Sequence, residues 1–235
     1  MHLRSAADQW KGSALALYDC SKIVNLDRDY SAVLFDMDGT LVDSRLVVER
    51  IWRDWATLHN LDISAILAVS HGRRTIDPVK LFARPGMDCA AEAAALEAKE
   101  VADTRGIVGV GGAVDLLSRL GRDKWAVVTS ASRALATRRM AAAGLPLPSV
   151  LIAAEDVVRG KPDPEGYQKA AMAMNVAISD CLVFEDAPAG IEAGKGAGCD
   201  VVAICAARPH DFSAECQEVH DFLHIRFNLS SAMIS

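Results

Sequence analysis

Short apolar runs recur along the chain, and each of them ends at polar or acidic residues. Continuous hydrophobic runs of this length are typical of parallel strands that are buried on both faces. Segments between the runs have the spacing of helices, and this alternation predicts an α/β fold with a doubly wound, mostly parallel sheet and a Rossmann-like core. The predicted strands are Ala32–Phe35, Trp125–Val128, Val150–Ile152, Cys181–Phe184 and Val201–Ile204, and the predicted helices are Ala113–Leu120, Arg133–Ala143, Glu165–Met174 and Pro188–Gly196.

The long interval from Asp43 to about Val110 breaks this alternation and is rich in helix-forming residues. Helices inserted after the first strand predict a helical cap domain over residues 44–109. The Rossmann-like core then comprises residues 31–43 and 110–235, and residues 1–30 form an N-terminal extension. The pattern weakens after the last of these strands, and a late strand is predicted at Phe222–Arg226.

Composition and charge exclude several classes of protein. The chain has 235 residues, 51% of them hydrophobic and 24% charged. No apolar run approaches the ~18 residues that a membrane span requires, so we expect a soluble protein with no membrane partner. A net charge of -6 argues against a broad basic face for nucleic acid. The six cysteines lack C-x-x-C spacing, which favours a reduced, cytoplasmic setting.

The first residues carry one short apolar patch, Ala14–Tyr18, with charged residues close on both sides. No small-residue cleavage pattern follows it, so the segment is not predicted to be a signal peptide. The sequence leaves open whether this segment is an extension or results from an upstream start.

Two pairs of acidic residues follow predicted strands. Asp36 and Asp38 come directly after the first strand, and Gly39 allows a sharp turn there. Glu185 and Asp186 follow a later strand and precede a helix, where an isolated acidic residue commonly caps the helix instead. If these strand ends adjoin, the carboxylates repel one another and require a cation. Oxygen ligands of this kind favour Mg²⁺.

Candidate phosphate ligands also lie at strand and helix ends. Thr129 and Ser130 end the second core strand, where hydroxyl and backbone N–H groups can bind phosphate, although both residue types also cap helices routinely. Lys161 lies in a loop stiffened by prolines, and its alternative role is that of a solvated surface lysine. Asp163 and Pro164 are predicted to cap and begin the following helix.

Taken together, four ordered segments resemble the motifs of the haloacid dehalogenase superfamily, and the resemblance extends from about Val33 to Ile204. The helical insert is similar to the small cap of the phosphatase and phosphoglucomutase branch. The four segments are Asp36-x-Asp-Gly-Thr-Leu-Val-Asp-Ser, Val-Val-Thr129-Ser, Gly160-Lys-Pro-Asp-Pro and Phe-Glu185-Asp-Ala-Pro-Ala-Gly.

The resemblance implies a role for each acidic residue. Asp36 is expected to attack phosphorus and form an aspartyl phosphate, and Asp38 to serve as general acid and then general base. Asp36 and Asp186, with the backbone carbonyl of Asp38, are expected to ligate Mg²⁺, and Glu185 to ligate it directly or through a water. Thr129 and Lys161 are expected to bind the phosphoryl oxygens, beside Ser130.

The cap segment His71-Gly-Arg-Arg-Thr75 is similar to segments of sugar and polyol phosphatases, including those acting on 2-deoxyglucose 6-phosphate and glycerol phosphate. Arg73 is therefore expected to contact the substrate, with a solvated arginine as the alternative.

The predicted function is Mg²⁺-dependent hydrolysis of a small phosphorylated metabolite, most simply a sugar or polyol monophosphate, by a monomer or weak homodimer. One alternative is phosphoryl transfer like that of β-phosphoglucomutase. Another is a non-catalytic regulatory binding protein, which is disfavoured because Asp36, Asp38, Lys161 and Asp186 are all present.

Overall fold

A computed structural model describes residues 23–206, 212 and 216–230 of the chain. Six strands among these residues form the central sheet, in the order β6-β5-β2-β7-β8-β9, and all neighbours are parallel. The predicted fold class is confirmed. The strands are β2 (Ala32–Phe35), β5 (Trp125–Val128), β6 (Val150–Ile152), β7 (Cys181–Glu185), β8 (Asp200–Ile204) and β9 (Gln217–Val219).

Helices cover both faces of the sheet. Successive strand residues point to opposite faces, and both faces carry apolar side chains that must be buried. Val33 and Phe35 of β2 pack into one hydrophobic cluster, while Leu34 packs into a second cluster on the other face. Phe35 stacks on Phe184 of β7 with ring centroids 5.4 Å apart, which aligns the two central strands. The core helices are α5 (Ala113–Arg119), α6 (Arg133–Ala142), α7 (Glu165–Ala173) and α8 (Pro188–Ala197).

The segment between Asp43 and Val108 contains helices only, as the break in the strand pattern predicts. The chain enters and leaves this cap through two short strands that pair in antiparallel fashion. They are β3 (Val42–Asp43) and β4 (Val108–Gly109). The cap helices are α1 (Arg45–His59), α2 (Ile63–Ser70), α3 (Ile76–Phe82) and α4 (Cys89–Ala102).

The Ala-rich helix α4 shows how the cap sequence specifies its structure. The Asp88 side chain accepts hydrogen bonds from the backbone N–H groups of Ala90 and Ala91 and so caps the helix. Ala93, Leu96 and Glu100 are the buried residues of this helix. Their spacing of three and four residues defines one face, so Glu100 occupies a position where an apolar side chain is expected.

The hydrophobic pattern did not predict the pairing of two outer strands. Val24–Tyr30 form β1, which pairs in parallel with β10 (Ile225–Leu229) in a separate two-stranded sheet. Residues 24–30 of the predicted extension are therefore structured, whereas the patch Ala14–Tyr18 lies outside the described residues.

The predicted start of the late strand and the predicted place of Pro164 as first helical residue were wrong, whereas the predicted helix start at Glu165 is correct. The late strand begins at Ile225, not Phe222, because the Asp221 side chain accepts a hydrogen bond from the Leu223 N–H and holds Phe222–His224 in a short 3-10 turn. Helix α7 begins at Glu165, so Pro164 is the residue before the helix, although Asp163 does accept a hydrogen bond from the Glu165 N–H as expected of a cap.

No helix within the described ranges is both long and apolar enough to cross a membrane.

Candidate active site

The carboxyl ends of β2 and β5 open into a cavity between core and cap, and β7 ends beside them. The three strands are neighbours in the sheet, so the residues that follow them converge at one edge. The core contributes Asp36, Asp38, Thr129, Ser130 and Arg139 to the cavity wall, and the cap contributes Trp52, Ser70, Arg73 and Glu100.

Lys161 lies at the centre of the buried charges. Its Nζ is 2.5 Å from Asp36 Oδ1, 2.5 Å from Glu185 Oε1 and 3.1 Å from the Val128 carbonyl oxygen. Burial opposes the charged form of this lysine, but Asp36 and Glu185 together raise its pKa above the usual value. Lys161 is therefore a charged, fixed group and not the solvated lysine of the alternative interpretation.

The two carboxylates that bind Lys161 differ in their surroundings. Burial and the charge of Glu185 raise the pKa of Asp36 to about 7, against the opposing effect of Lys161. Glu185 accepts further hydrogen bonds from the Tyr167 hydroxyl at 2.8 Å and from the Asp186 N–H at 3.0 Å. Glu185 therefore holds Lys161 and the start of α8 in place.

Asp36, Glu185 and Asp186 can together hold a metal ion. Each of them offers a carboxylate oxygen, these oxygens lie within 4.8 Å of one another, and all three residues are buried. Lys161 balances only one of the three charges when all are ionised, and a buried excess of negative charge favours a bound cation. The Asp38 side chain is outside this group.

Gly39 permits the close approach of the two acidic segments. It has a φ of 91°, in the left-handed region, and a Cβ atom at this position would overlap the Asp186 carboxylate. The turn after β2 can therefore pass directly beside Asp186 only because residue 39 is glycine.

Asp38 is held by two donors that face it from different elements. Ser44 Oγ donates to its Oδ1 at 2.7 Å, and Arg139 Nη1 donates to its Oδ2 at 2.7 Å. Sequence reasoning predicted Asp38 as a site residue but missed Arg139, which lies on α6 and is only 3% exposed. The signal for Arg139 is its position among Leu135, Ala136 and Met140, the other buried residues of this helix.

Arg139 also faces Glu100 of the cap, which sequence reasoning missed too. Glu100 is 4% exposed, and burial raises its pKa to about 7 despite the nearby arginine. Arg139 Nη2 lies 3.3 Å from Glu100 Oε2, but within the described chain neither Nη2 nor Nε of Arg139 makes a hydrogen bond. An unsatisfied buried donor costs about 1–3 kcal/mol, so this arrangement is costly for folding alone.

The remaining residues predicted to bind phosphate or substrate differ in what they contact. Thr129 is buried at the end of β5, and its Oγ1 accepts a hydrogen bond from the Ala131 N–H at 3.1 Å. Ser130 Oγ donates to the Gly72 carbonyl oxygen of the cap at 2.8 Å, so its side chain links the two domains. Arg73 is exposed and lines the cavity, so its contact with substrate stays a prediction.

Comparisons with known proteins find relatives over most of the chain. The family model of haloacid dehalogenase-like hydrolases matches residues 30–198. Hexitol phosphatase A of Escherichia coli strain K12 is 45% identical over 177 residues, covering 74% of this chain and 82% of that protein. Glycerol-1-phosphate phosphohydrolase 2 of Saccharomyces cerevisiae is 38% identical over 197 residues, covering 79% of this chain and 78% of that protein.

A solved hydrolase from Pseudomonas syringae has a TM-score of 0.71 and 26% identity to this chain, covering 83% of this chain and 95% of that one. The chain belongs to the haloacid dehalogenase-like hydrolase family. Within that family it is an enzyme of the phosphatase class, so the predicted family and enzyme class are confirmed.

Proposed function

We propose that this enzyme is a Mg²⁺-dependent phosphatase that hydrolyses a sugar or polyol monophosphate through an aspartyl phosphate on Asp36. The observation that carries the proposal is the position of Asp36, which lies at a strand end in the cavity, bound to buried Lys161 and close to Asp186. The names of the two relatives, a hexitol phosphatase and a glycerol-1-phosphate phosphohydrolase, support the substrate class, since hexitols and glycerol are polyols.

In the proposed reaction a carboxylate oxygen of Asp36 forms a bond to phosphorus while the bond from phosphorus to the ester oxygen breaks. Asp38 donates a proton to the departing oxygen and later accepts one from the water that hydrolyses the aspartyl phosphate. Its contacts with Ser44 and Arg139 support this role, because they fix the direction of the carboxylate. Lys161 and the end of β5 at Thr129 provide positive charge and donors for the phosphoryl oxygens.

Asp36 and Asp186, with the Asp38 backbone carbonyl, would hold Mg²⁺. Glu185 would contribute directly or through a water, and its hydrogen bonds to Lys161 and Tyr167 favour the second arrangement. Oxygen donors and buried negative charge fit this ion, which when bound supplies electrostatic stabilisation of the transferring phosphoryl group. Arg73, on the cap side of the cavity, is the proposed contact for the rest of the substrate.

Phosphate release from a panel of sugar, polyol and nucleotide monophosphates tests this function, with Mg²⁺ or with a chelator. We expect polyol and sugar phosphates to be hydrolysed best and the chelator to abolish release. Asp36→Asn should lower turnover by at least about 10³-fold with an unchanged circular dichroism spectrum, because an amide is a poor nucleophile. Release without metal, or an active Asp36→Asn variant, would contradict the proposal.

The same panel distinguishes a mutase. A mutase like β-phosphoglucomutase would convert glucose 1-phosphate to glucose 6-phosphate faster than it releases phosphate from either compound. We expect release without such conversion.

A further inference from the structure

Arg139 and Glu100 form a polar pair at the boundary between core and cap. Arg139 comes from core helix α6 and Glu100 from cap helix α4, and both side chains line the cavity that contains Asp36 and Asp38. Each occupies a buried helix face where an apolar residue would normally lie, so both positions require a reason other than packing.

The pair makes an ion-pair contact that is not completed by a hydrogen bond. Elsewhere in this chain arginine forks bind carboxylates with two hydrogen bonds, as in Arg45 with Asp43 and Arg105 with Asp103. Arg139 and Glu100 are better buried than either of those pairs, yet Nη2 and Oε2 are 3.3 Å apart without a hydrogen bond. The Nε and Nη2 donors of Arg139 are therefore left for another acceptor.

A hydroxyl group has the complementary chemistry. Its oxygen can accept from the Arg139 guanidinium, and its hydrogen can be donated to the Glu100 carboxylate. We propose that Arg139 and Glu100 together bind a hydroxyl group of the substrate and so select polyhydroxylated monophosphates over those with an apolar organic group. This inference rests on the proposed phosphatase function and assigns its substrate selectivity to two named side chains.

The contact between Arg139 and Asp38 locates the bound hydroxyl. Arg139 Nη1 donates to Asp38, the proposed proton donor to the ester oxygen, and its remaining donors lie on the same planar guanidinium. A hydroxyl bound there lies near the ester oxygen, as on a carbon adjacent to the phosphorylated carbon. Trp52, Val48 and Leu135 provide apolar wall for the carbon chain in the same cavity.

Glu100→Leu tests the inference, because Glu100 touches the proposed hydroxyl but not Asp38. The measurement is the ratio of kcat/KM for the best polyol monophosphate of the panel to kcat/KM for n-propyl phosphate, which has no hydroxyl group. We expect the ratio to fall about 10- to 100-fold, as for the loss of a hydrogen bond to a charged group. Glu100→Gln retains the shape of the side chain and an oxygen that can accept from the hydroxyl but removes the charge, so it should lower the ratio less and in the same direction if the leucine variant does not fold.

Glu97→Leu is the matched control, since it removes a carboxylate from the same helix that does not line the cavity. Its ratio should stay within about twofold of the wild-type value. An equal loss with both substrates would overturn the inference and identify the pair as a structural contact between cap and core. A wild-type enzyme that does not prefer the polyol substrate would refute only this inference, whereas failure to hydrolyse any monophosphate would refute the proposed function as well.

Discussion

Lys161 illustrates how the site depends on single residues. It is buried with Asp36 and Glu185, and each carboxylate oxygen that it binds is 2.5 Å from its Nζ. Removing one partner of a buried ion pair leaves an uncompensated charge that is largely shielded from water. The lysine is therefore expected to stabilise the folded chain, in addition to its proposed role in binding a phosphoryl group.

We expect Lys161→Met to lower the free energy of unfolding by about 3–5 kcal/mol in the presence of a chelator, because Asp36 and Glu185 then lack their shared cation. Urea denaturation measures this change. Lys80→Met is the control, since Lys80 is an exposed residue of cap helix α3. A loss no greater than that of the control would show that the buried carboxylates do not need Lys161.

Whereas Lys161 and Arg73 were predicted from the resemblance to family motifs, position alone predicted the residues that directly follow apolar strands. Asp36, Thr129, Glu185 and Asp186 belong to this group, because parallel neighbouring strands end at the same edge of the sheet. Arg139 could not be predicted in the same way. It lies on a core helix, and the sequence around it does not indicate that Glu100 of the cap is near. The two residues come together only because the cap docks on the core.

At the level of elements, the turn after β2 determines how closely the acidic segments approach. Gly39 combines a left-handed backbone with direct contact between the turn and Asp186. Gly86 in the cap has a similar φ of 85° but nothing within 4 Å of the position of a Cβ. The two glycines therefore separate the effect of backbone strain from the effect of crowding.

Gly86→Ala should cost about 1–2 kcal/mol of stability, the strain of a left-handed alanine, with full activity. Gly39→Ala should cost a similar strain energy and should also displace the Asp186 carboxylate. A displacement of about 1 Å is expected to lower activity on the order of 100-fold. Thermal unfolding and phosphate release measure the two effects. Equal activity of the two variants would contradict the proposed role of the Asp186 position.

The elements that sequence analysis missed are outer strands with little apolar content. β9 has the sequence Gln-Glu-Val, and β1 contains Asn, Arg and two Asp residues. Edge strands and small outer sheets are solvated on one side, so their hydrophobic signal is weak. Their pairing depends on partners that are distant in sequence, such as β10 for β1.

At the scale of the molecule, the cap is attached to the core by polar contacts as well as by its connections. Arg74 of the cap donates through Nη2 to the Val157 carbonyl oxygen of the core at 2.7 Å. Ser130 of the core donates to Gly72 in the adjacent part of the cap. These contacts hold the cap over the cavity, where it contributes Arg73 and Glu100.

We expect Arg74→Ala to raise KM about 10-fold with a small effect on the fold, because the cap loses a charged hydrogen bond to the core. Arg84→Ala is the matched control: Arg84 Nη2 donates to the Asn60 carbonyl oxygen at 2.7 Å, entirely within the cap. Steady-state kinetics with the best substrate of the panel measures the difference. An equal rise of KM in both variants would attribute it to the cap itself and not to its docking.

The pairing of β1 with β10 joins two strands that are far apart in the sequence, with Val24 opposite Ile225. During synthesis at roughly 5–20 residues per second, β10 emerges on the order of 10–40 s after β1. In this interval Val24 and Leu26, which pack on the core in the folded chain, lack their partner strand. Much of the matched family region, residues 30–198, is by then already synthesised. The docking of β10 onto β1 can therefore follow only after the segments between them have been synthesised, and a ribosome that stalls before β10 leaves the backbone edge of β1 open to other chains.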